Sequence, residues 1–139
     1  MRGKIYYTNI EKYKYRVRFD YRHDIGIKGY DIVLEDLRLT PDGILTLKAG
    51  FMSDGPSGPT IDSKEGMRAA FVHDAGYKLI RLGLLPISCK EIFDTLFHSI
   101  LLEDQMSEVR ADLWFEGVEH FGGKSCIPGS EREEILMAP

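Results

Sequence analysis

Cysteine is scarce in this chain, whose 139 residues include only Cys89 and Cys126. Two thiols so far apart in sequence supply neither a disulfide framework nor a four-cysteine zinc site. The sequence also lacks a P-loop, a G-x-G-x-x-G fingerprint and a Ser-His-Asp order. Nucleotide-binding and serine-hydrolase functions therefore have no motif to support them.

Long apolar stretches are absent as well. No run approaches the ~20 apolar residues that a membrane-spanning helix needs, so we expect no membrane span. Residues 1–4 are followed by tyrosines and charged residues rather than by the apolar segment of a signal peptide. We therefore expect no secretion by a signal peptide, and a protein made in the cytoplasm with reduced thiols.

Positive charge is in the minority, since the formal net charge is −4. This balance argues against nucleic-acid binding by phosphate neutralisation, so no nucleic-acid partner is expected. One basic cluster near the N-terminus would share one face of a strand: Lys12, Lys14, Arg16 and Arg18. We interpret that face as a solvated strand surface.

The first half of the chain carries strand patterns. Apolar and charged residues alternate over residues 13–19, as in a half-buried strand. The turn signal at residues 41–43 predicts a hairpin between strands at 31–39 and 44–49. Residues 22–29 are predicted to form a loop. Together these segments predict an antiparallel sheet.

The apolar period changes from two to 3.6 after Asp62, which predicts helices. Asp62 and Glu65 form a capping-box pattern, and Gly83 is a natural end for the first helix. Ser88 and Ser107 are predicted to cap a second and a third helix. The third helix is predicted to bury five apolar residues: Val109, Leu113, Trp114, Val118 and Phe121.

Strands first and helices afterwards is the α+β pattern. We predict an N-terminal antiparallel β-sheet, a Gly/Pro loop and a three-helix C-terminal half, which form one domain over residues 1–123. Residues 124–139 are predicted to be a C-terminal tail that orders only against another surface. The Gly/Pro loop lies where the two halves join, and a cleft is expected there.

Two neighbouring segments carry the polar residues on which a function can be argued. Residues 50–59 form a Gly/Pro-rich run, in which Asp54 and Ser57 are candidate site residues and equally good turn formers. Further on, His73 and Asp74 interrupt an apolar helical stretch. A histidine and a carboxylate in apolar surroundings cost free energy unless they are paired or bind something. Any site is therefore expected here.

Helical spacing sets the expected geometry. His73 and Tyr77 are one turn apart and share a face, whereas Asp74 is rotated by about 100° from His73. If the first two helices pack antiparallel, Asp94 comes near both His73 and Tyr77. A carboxylate beside an imidazole fixes its tautomer, as a general base requires. The candidate catalytic residues are therefore His73, Asp94 and Tyr77.

Asp74 is the candidate metal ligand. It is expected to face the loop carbonyls, among them those of Gly55 and Gly58, and such oxygen ligands suit a hard cation such as calcium. The cation would polarise an ester or phosphoryl oxygen while His73 activates a water molecule. Calcium is the expected cofactor, and a metal-assisted hydrolase is the expected enzyme.

This layout is similar to the phospholipase A2 site, whose H-D-x-x-Y motif matches residues 73–77. It most resembles the compact viral capsid phospholipases, which have G-x-P, then A-A-x-x-H-D-x-x-Y, then an aspartate on the next helix. The resemblance implies that His73 is the base and Asp74 the calcium ligand. It also implies that Asp94 and Tyr77 support His73. The loop departs from G-x-P, and no cysteine neighbours His73 as in the secreted enzymes.

A longer resemblance covers most of the chain. The phage and prophage family catalogued as domain of unknown function 1353 has a pattern near G-F-x-[TS]-D-G-x-S-x-P, then H-D, then a helical aspartate, then V-x-x-F-G. The chain matches this order at residues 50–59, 73–74, 94 and 118–122. The resemblance implies a phage origin, in the cytoplasm of the infected host or in the virion. It marks five residues: Asp54, Ser57, His73, Asp74 and Asp94.

Two classes of function stay open. The first is a calcium-assisted hydrolase of ester bonds. The second is a non-enzymatic phage protein, either a virion component or a protein that binds a host or defence factor. In that second class His73 and Asp74 form a structural polar pair, because buried polar networks also serve fold specificity. A hydrolase needs His73 in a cleft, whereas a structural pair can be sealed.

Overall fold

The computed structural model describes residues 3–11, 14–53, 64–121 and 126. Within these ranges the strands are β1 (Tyr7–Glu11), β2 (Lys14–Val17), β3 (Tyr21–Asp24), β4 (Ile32–Val33), β5 (Leu37–Leu39), β6 (Ile44–Leu47) and β7 (Met52–Ser53). The helices that follow them are α1 (Lys64–Arg81), α2 (Lys90–Glu103) and α3 (Glu108–Phe121). The predicted α+β class is confirmed. None of the described helices combines the length and the apolar character that crossing a membrane requires.

The antiparallel strands of the described chain divide into two sheets, ordered β1-β2-β7 and β3-β6-β5-β4. The predicted hairpin is formed by β5 and β6, which pair Leu37 with Leu47 and Leu39 with Leu45. All four of these leucines are fully buried. The turn between the strands uses Gly43 at a φ of +91°, a conformation in which a side chain would be strained. The single strand predicted over residues 31–39 is wrong, because this range holds two strands, β4 and β5, that pair with each other.

The predicted loop over residues 22–29 is wrong at its start. Tyr21–Asp24 forms β3, which pairs along its whole length with β6. Tyr21 is the one buried residue of this strand, since Arg22 and Asp24 are exposed and His23 is half-buried. A strand with a single buried side chain leaves no alternating signal in the sequence. The strand β3 forms because it pairs with β6, not because of its own sequence pattern.

The predicted end of the first helix is confirmed. Gly83 adopts a φ of +75° two residues after the last residue of α1. Its N–H donates to the Ile80 carbonyl at 2.9 Å, and the N–H of Leu84 donates to the Leu79 carbonyl at 3.0 Å. These two bonds satisfy carbonyl groups that a helix end leaves unpaired. The predicted cap at Asp62 lies outside the described residues.

The two predicted serine caps have different outcomes. Ser88 does not cap α2, because Ile87–Cys89 forms a 3₁₀ turn and places Cys89 at the N-cap position without a side-chain bond. A 3₁₀ turn of this kind commonly precedes an α-helix and shifts its start. Ser107 does cap α3, since its Oγ accepts the N–H of Arg110 at 3.3 Å.

The predicted burial of α3 is wrong for two residues. Val109 is 71% exposed and Leu113 is 61% exposed, whereas Trp114 and Val118 are half-buried. The helix packs mainly against α2, so only one stripe of its surface is covered. The side chain of Phe121 lies outside the described part.

A buried cation links the strands to the helices. Arg68 of α1, only 4% exposed, donates to the hydroxyl of Tyr21 at 2.8 Å. It also donates to the carboxylates of Glu103 and Asp104 at 2.8–3.1 Å. These partners compensate the loss of hydration that the guanidinium undergoes on burial. The contacts therefore join β3, α1 and the end of α2.

Helices α1 and α2 approach closely at Gly76. The ring of Phe93, which is fully buried, lies against this glycine. A Cβ atom added at Gly76 would be 2.3 Å from Cδ1 of that ring. Gly76 lies between His73 and Tyr77 in sequence, so the close approach brings both of their side chains against α2.

We predict that Gly76→Ala destabilises the protein, because the added methyl group overpacks the contact with Phe93. Overpacking costs about 1–3 kcal/mol, and the better helix propensity of alanine offsets about 1 kcal/mol of that. Urea unfolding of the variant measures the difference. Gly117→Ala in α3 is the matched control, since an added Cβ there meets no atom within 4 Å.

The control should be neutral or stabilising by up to about 1 kcal/mol. Equal stabilities for Gly76→Ala and Gly117→Ala would contradict the close packing of α1 on α2.

Candidate functional site

The site is built where α1 faces α2. His73 Nε2 lies 2.7 Å from Asp94 Oδ1, and the Tyr77 hydroxyl lies 2.5 Å from the same oxygen. The structure thus brings together the three side chains that were proposed as catalytic. They are buried, at 6% exposure for His73 and 2% for Asp94. Whether they are catalytic stays a prediction.

Hydrogen bonding sets the protonation of Asp94. Burial alone would raise the pKa of this carboxyl, but hydrogen bonds from His73, Lys90 and Tyr77 lower it below its ordinary value. An ionised carboxylate only accepts, so His73 donates from Nε2. In the neutral imidazole Nδ1 then carries the lone pair. No hydrogen bond joins Nδ1 to another residue of the described chain.

Tyr77 donates its hydroxyl to Asp94. Burial, followed by this hydrogen bond, raises the pKa of Tyr77 far above its ordinary value, so the hydroxyl stays protonated. Cys126 is fully buried, and burial raises the pKa of its thiol to about 12. Cys126 falls in the predicted tail, yet it belongs to the hydrophobic core. The boundary at residue 123 stays a prediction.

Lys90 is a site residue that the sequence reasoning missed. It lies one turn before Asp94 on α2 and donates to Oδ2 of that carboxylate at 2.6 Å. The i,i+4 spacing of a lysine and an aspartate is a signal that would have found it. Both residues line an open cavity of about 350 Å³ between α2 and α3. Its other lining residues are Ile87, Ser88, Glu91, Thr95, Phe115 and Glu119.

Asp74 lies on a different face of α1 from His73 and is half-buried. Ser53, the last residue of β7, donates a hydrogen bond to its Oδ2. Ser53 was missed as a site residue, although it lies inside the Gly/Pro-rich run of residues 50–59. The bond places Asp74 beside the end of β7. The loop residues proposed for the site lie outside the described chain: Asp54, Gly55, Ser57 and Gly58.

Aromatic rings pack around the imidazole. The ring centroids of His73 and Tyr77 are 3.9 Å apart, and those of His73 and Phe97 are 5.0 Å apart. Phe97 in turn stacks on Trp114 at 6.2 Å. This layer restricts rotation of the imidazole and keeps its hydrogen bond to Asp94 in an apolar environment, where such a bond is stronger than in water.

Comparison with known proteins finds no match. No family model matches the chain, and neither the curated proteins nor the solved structures include a similar one. The resemblances to the phage family and to the phospholipase A2 site therefore stay predictions.

The described donors do not form a calcium site by themselves. Groups of three or more His, Cys, Asp or Glu side chains that could hold a metal ion do not occur in the described ranges. Calcium takes roughly six to eight oxygen ligands. Asp74 would supply one carboxylate, and the carbonyls proposed at Gly55 and Gly58 lie outside those ranges. Calcium binding therefore stays a prediction.

We predict that Asp94 makes stability depend on pH. Its pKa is depressed in the folded protein, so its stabilising contribution is complete above the unfolded-state pKa of about 4 and is lost as the pH falls through the lower folded value. Asp94→Asn removes that contribution. The free energy of unfolding should therefore fall less steeply in the variant than in the wild type below pH ~4.

Urea unfolding over an acidic pH series measures both slopes. Asp112→Asn is the control, because it removes a carboxylate whose side chain is 67% exposed and bound to His98. Parallel curves for the wild type and Asp94→Asn would show that Asp94 is not the ionised acceptor.

Proposed function

We propose that this protein is a small hydrolase of ester bonds in which His73 is the general base. The observation that carries the proposal is the 2.7 Å bond between His73 Nε2 and Asp94 Oδ1. Because Asp94 is an ionised acceptor, this bond leaves Nδ1 as the basic nitrogen of the imidazole. A histidine oriented by a carboxylate is the arrangement that general-base catalysis requires.

The proposed chemistry follows from that orientation. His73 Nδ1 takes a proton from a water molecule as the water attacks the ester carbon. The imidazole becomes positively charged, and Asp94 stabilises that charge through the Nε2 bond. Tyr77 holds Oδ1 of Asp94 in place with its own hydroxyl. When the tetrahedral intermediate collapses, the proton passes from Nδ1 to the leaving alkoxide.

We propose calcium as the cofactor and Asp74 as its carboxylate ligand, with the carbonyls of Gly55 and Gly58 as further ligands. A bound cation polarises the substrate carbonyl or phosphoryl oxygen. Ser53 supports this assignment, since it lies inside the Gly/Pro-rich run and its hydrogen bond holds Asp74 beside the end of β7. The proton transfer at His73 does not depend on the ion.

The second candidate is a non-enzymatic phage protein of the virion, or one that binds a host or defence factor. Burial favours it, since His73 is only 6% exposed and Asp94 only 2%. A buried, hydrogen-bonded network of this kind serves fold specificity. In this case the partner would contact another surface, such as the exposed Val109 and Leu113 of α3.

We predict that His73→Asn lowers kcat for ester hydrolysis by about 10²–10⁴-fold, because the general base is lost. Nitrophenyl esters and phospholipid vesicles are the substrates to assay. His98→Asn is the matched control, because His98 Nε2 also lies 2.7 Å from a carboxylate oxygen, that of Asp112, in an exposed pair. This control should keep wild-type turnover.

Thermal unfolding of the same variants separates the two candidates. Loss of turnover with a retained cooperative transition supports the hydrolase. A wild type without turnover on either substrate, together with a His73→Asn variant that no longer folds, supports the structural pair and rejects the hydrolase.

We predict that titration calorimetry detects saturable calcium binding to the wild type and none to Asp74→Asn, because that variant loses the anionic ligand. Asp112→Asn should bind like the wild type, since its carboxylate lies on α3. Absence of binding to the wild type would reject calcium as the cofactor and leave the role of His73 to the turnover assay.

A further inference from the structure

Lys90 lies between Asp94 and the end of α3. Its Nζ is 2.6 Å from Asp94 Oδ2, 3.3 Å from the carbonyl oxygen of Glu119 and 3.5 Å from that of Val118. These three acceptors match the three donors of an ammonium group. The side chain of Lys90 is 20% exposed and that of Asp94 is 3% exposed, so the pair is mostly shielded from water.

The two oxygens of the Asp94 carboxylate have different partners. Oδ1 accepts from His73 and Tyr77, and Oδ2 accepts from Lys90. Rotation of the carboxylate would break the bonds on both oxygens together. A buried carboxylate that loses a donor pays a desolvation penalty, so this rotation is strongly disfavoured while Lys90 is in place.

We propose that Lys90 is a positioning residue of the site. It holds Oδ2 of Asp94, so that Oδ1 keeps the imidazole of His73 in the tautomer that protonates Nε2. The inference rests on the proposed function of His73 as a base. Lys90 itself touches neither the water nor the ester bond, and it acts through Asp94.

The contact with α3 extends this role. The carbonyls of Val118 and Glu119 belong to the last turn of α3, where the helix dipole favours a cation. A movement of that turn would remove two of the three acceptors of the ammonium group and leave the bond to Asp94, which lies within α2.

The test compares Lys90→Met, Lys90→Arg and Lys78→Met. Methionine retains much of the aliphatic stem without the charge, and arginine restores a charged donor. Lys78 is the matched control, because its Nζ donates to Asp36 Oδ2 at 2.9 Å and its side chain is 27% exposed. Its removal breaks a comparable pair that does not involve Asp94.

The first readout is the NMR spectrum of the ring nitrogens and the Nε2 proton of His73, recorded in the full chain. We expect a single Nε2-protonated tautomer in the wild type and in Lys78→Met. In Lys90→Met the Nε2 proton signal should be lost by exchange, and Lys90→Arg should restore it. An unchanged His73 spectrum in a folded Lys90→Met variant overturns the inference.

The second readout is turnover of the ester substrates. We expect Lys90→Met to lower kcat by about tenfold or more with KM unchanged, since an interaction that serves only the transition state is weakened. Lys90→Arg should recover most of the loss. Absence of turnover in the wild type would reject the proposed function. The NMR comparison would still decide whether Lys90 orients His73.

Discussion

The carboxylate of Asp94 accepts hydrogen bonds from three side chains on two helices, and the arrangement of the C-terminal half depends on satisfying it. His73 and Tyr77 reach it from α1, and Lys90 reaches it from its own helix. A buried carboxylate without such partners would cost several kcal/mol or take up a proton. The two helices must therefore pack closely enough to deliver the donors, and Gly76 provides the necessary space.

Features set within one helix could be predicted from the sequence, whereas features set by a neighbouring element could not. The shared face of His73 and Tyr77 follows from helical spacing alone, and the helix end follows from the backbone freedom of Gly83. The exposure of Val109 and Leu113 was predicted wrongly, because an apolar stripe does not reveal whether another element covers it. Lys90 is a different case, since its pairing with Asp94 has the i,i+4 spacing of a single helix and was overlooked, whereas its contacts with the end of α3 could not be predicted. The approach of the Gly/Pro loop to Asp74, which a calcium site would require, likewise depends on a neighbouring element and could not be predicted from the sequence.

Burial of the His73–Asp94 pair has a different consequence for each of the two proposed functions. An apolar environment strengthens the hydrogen bond that orients the imidazole, which favours catalysis. The same environment limits the approach of water to Nδ1, which favours a structural role. The exposed surfaces bear on the second function, because Val109 and Leu113 of α3 present apolar side chains to solvent.

The burial of Cys126 makes the opening of this site chemically detectable. Alkylating reagents attack the thiolate, and a fully buried thiol with a pKa of about 12 reacts only when a local opening exposes it to solvent. The rate at which Cys126 is labelled therefore measures how often the protein opens locally around this thiol. Cys89, which is also buried, directly precedes Lys90 and counts openings at the start of α2. The two cysteines of the chain are thus native reporters of local opening, with no engineered label needed.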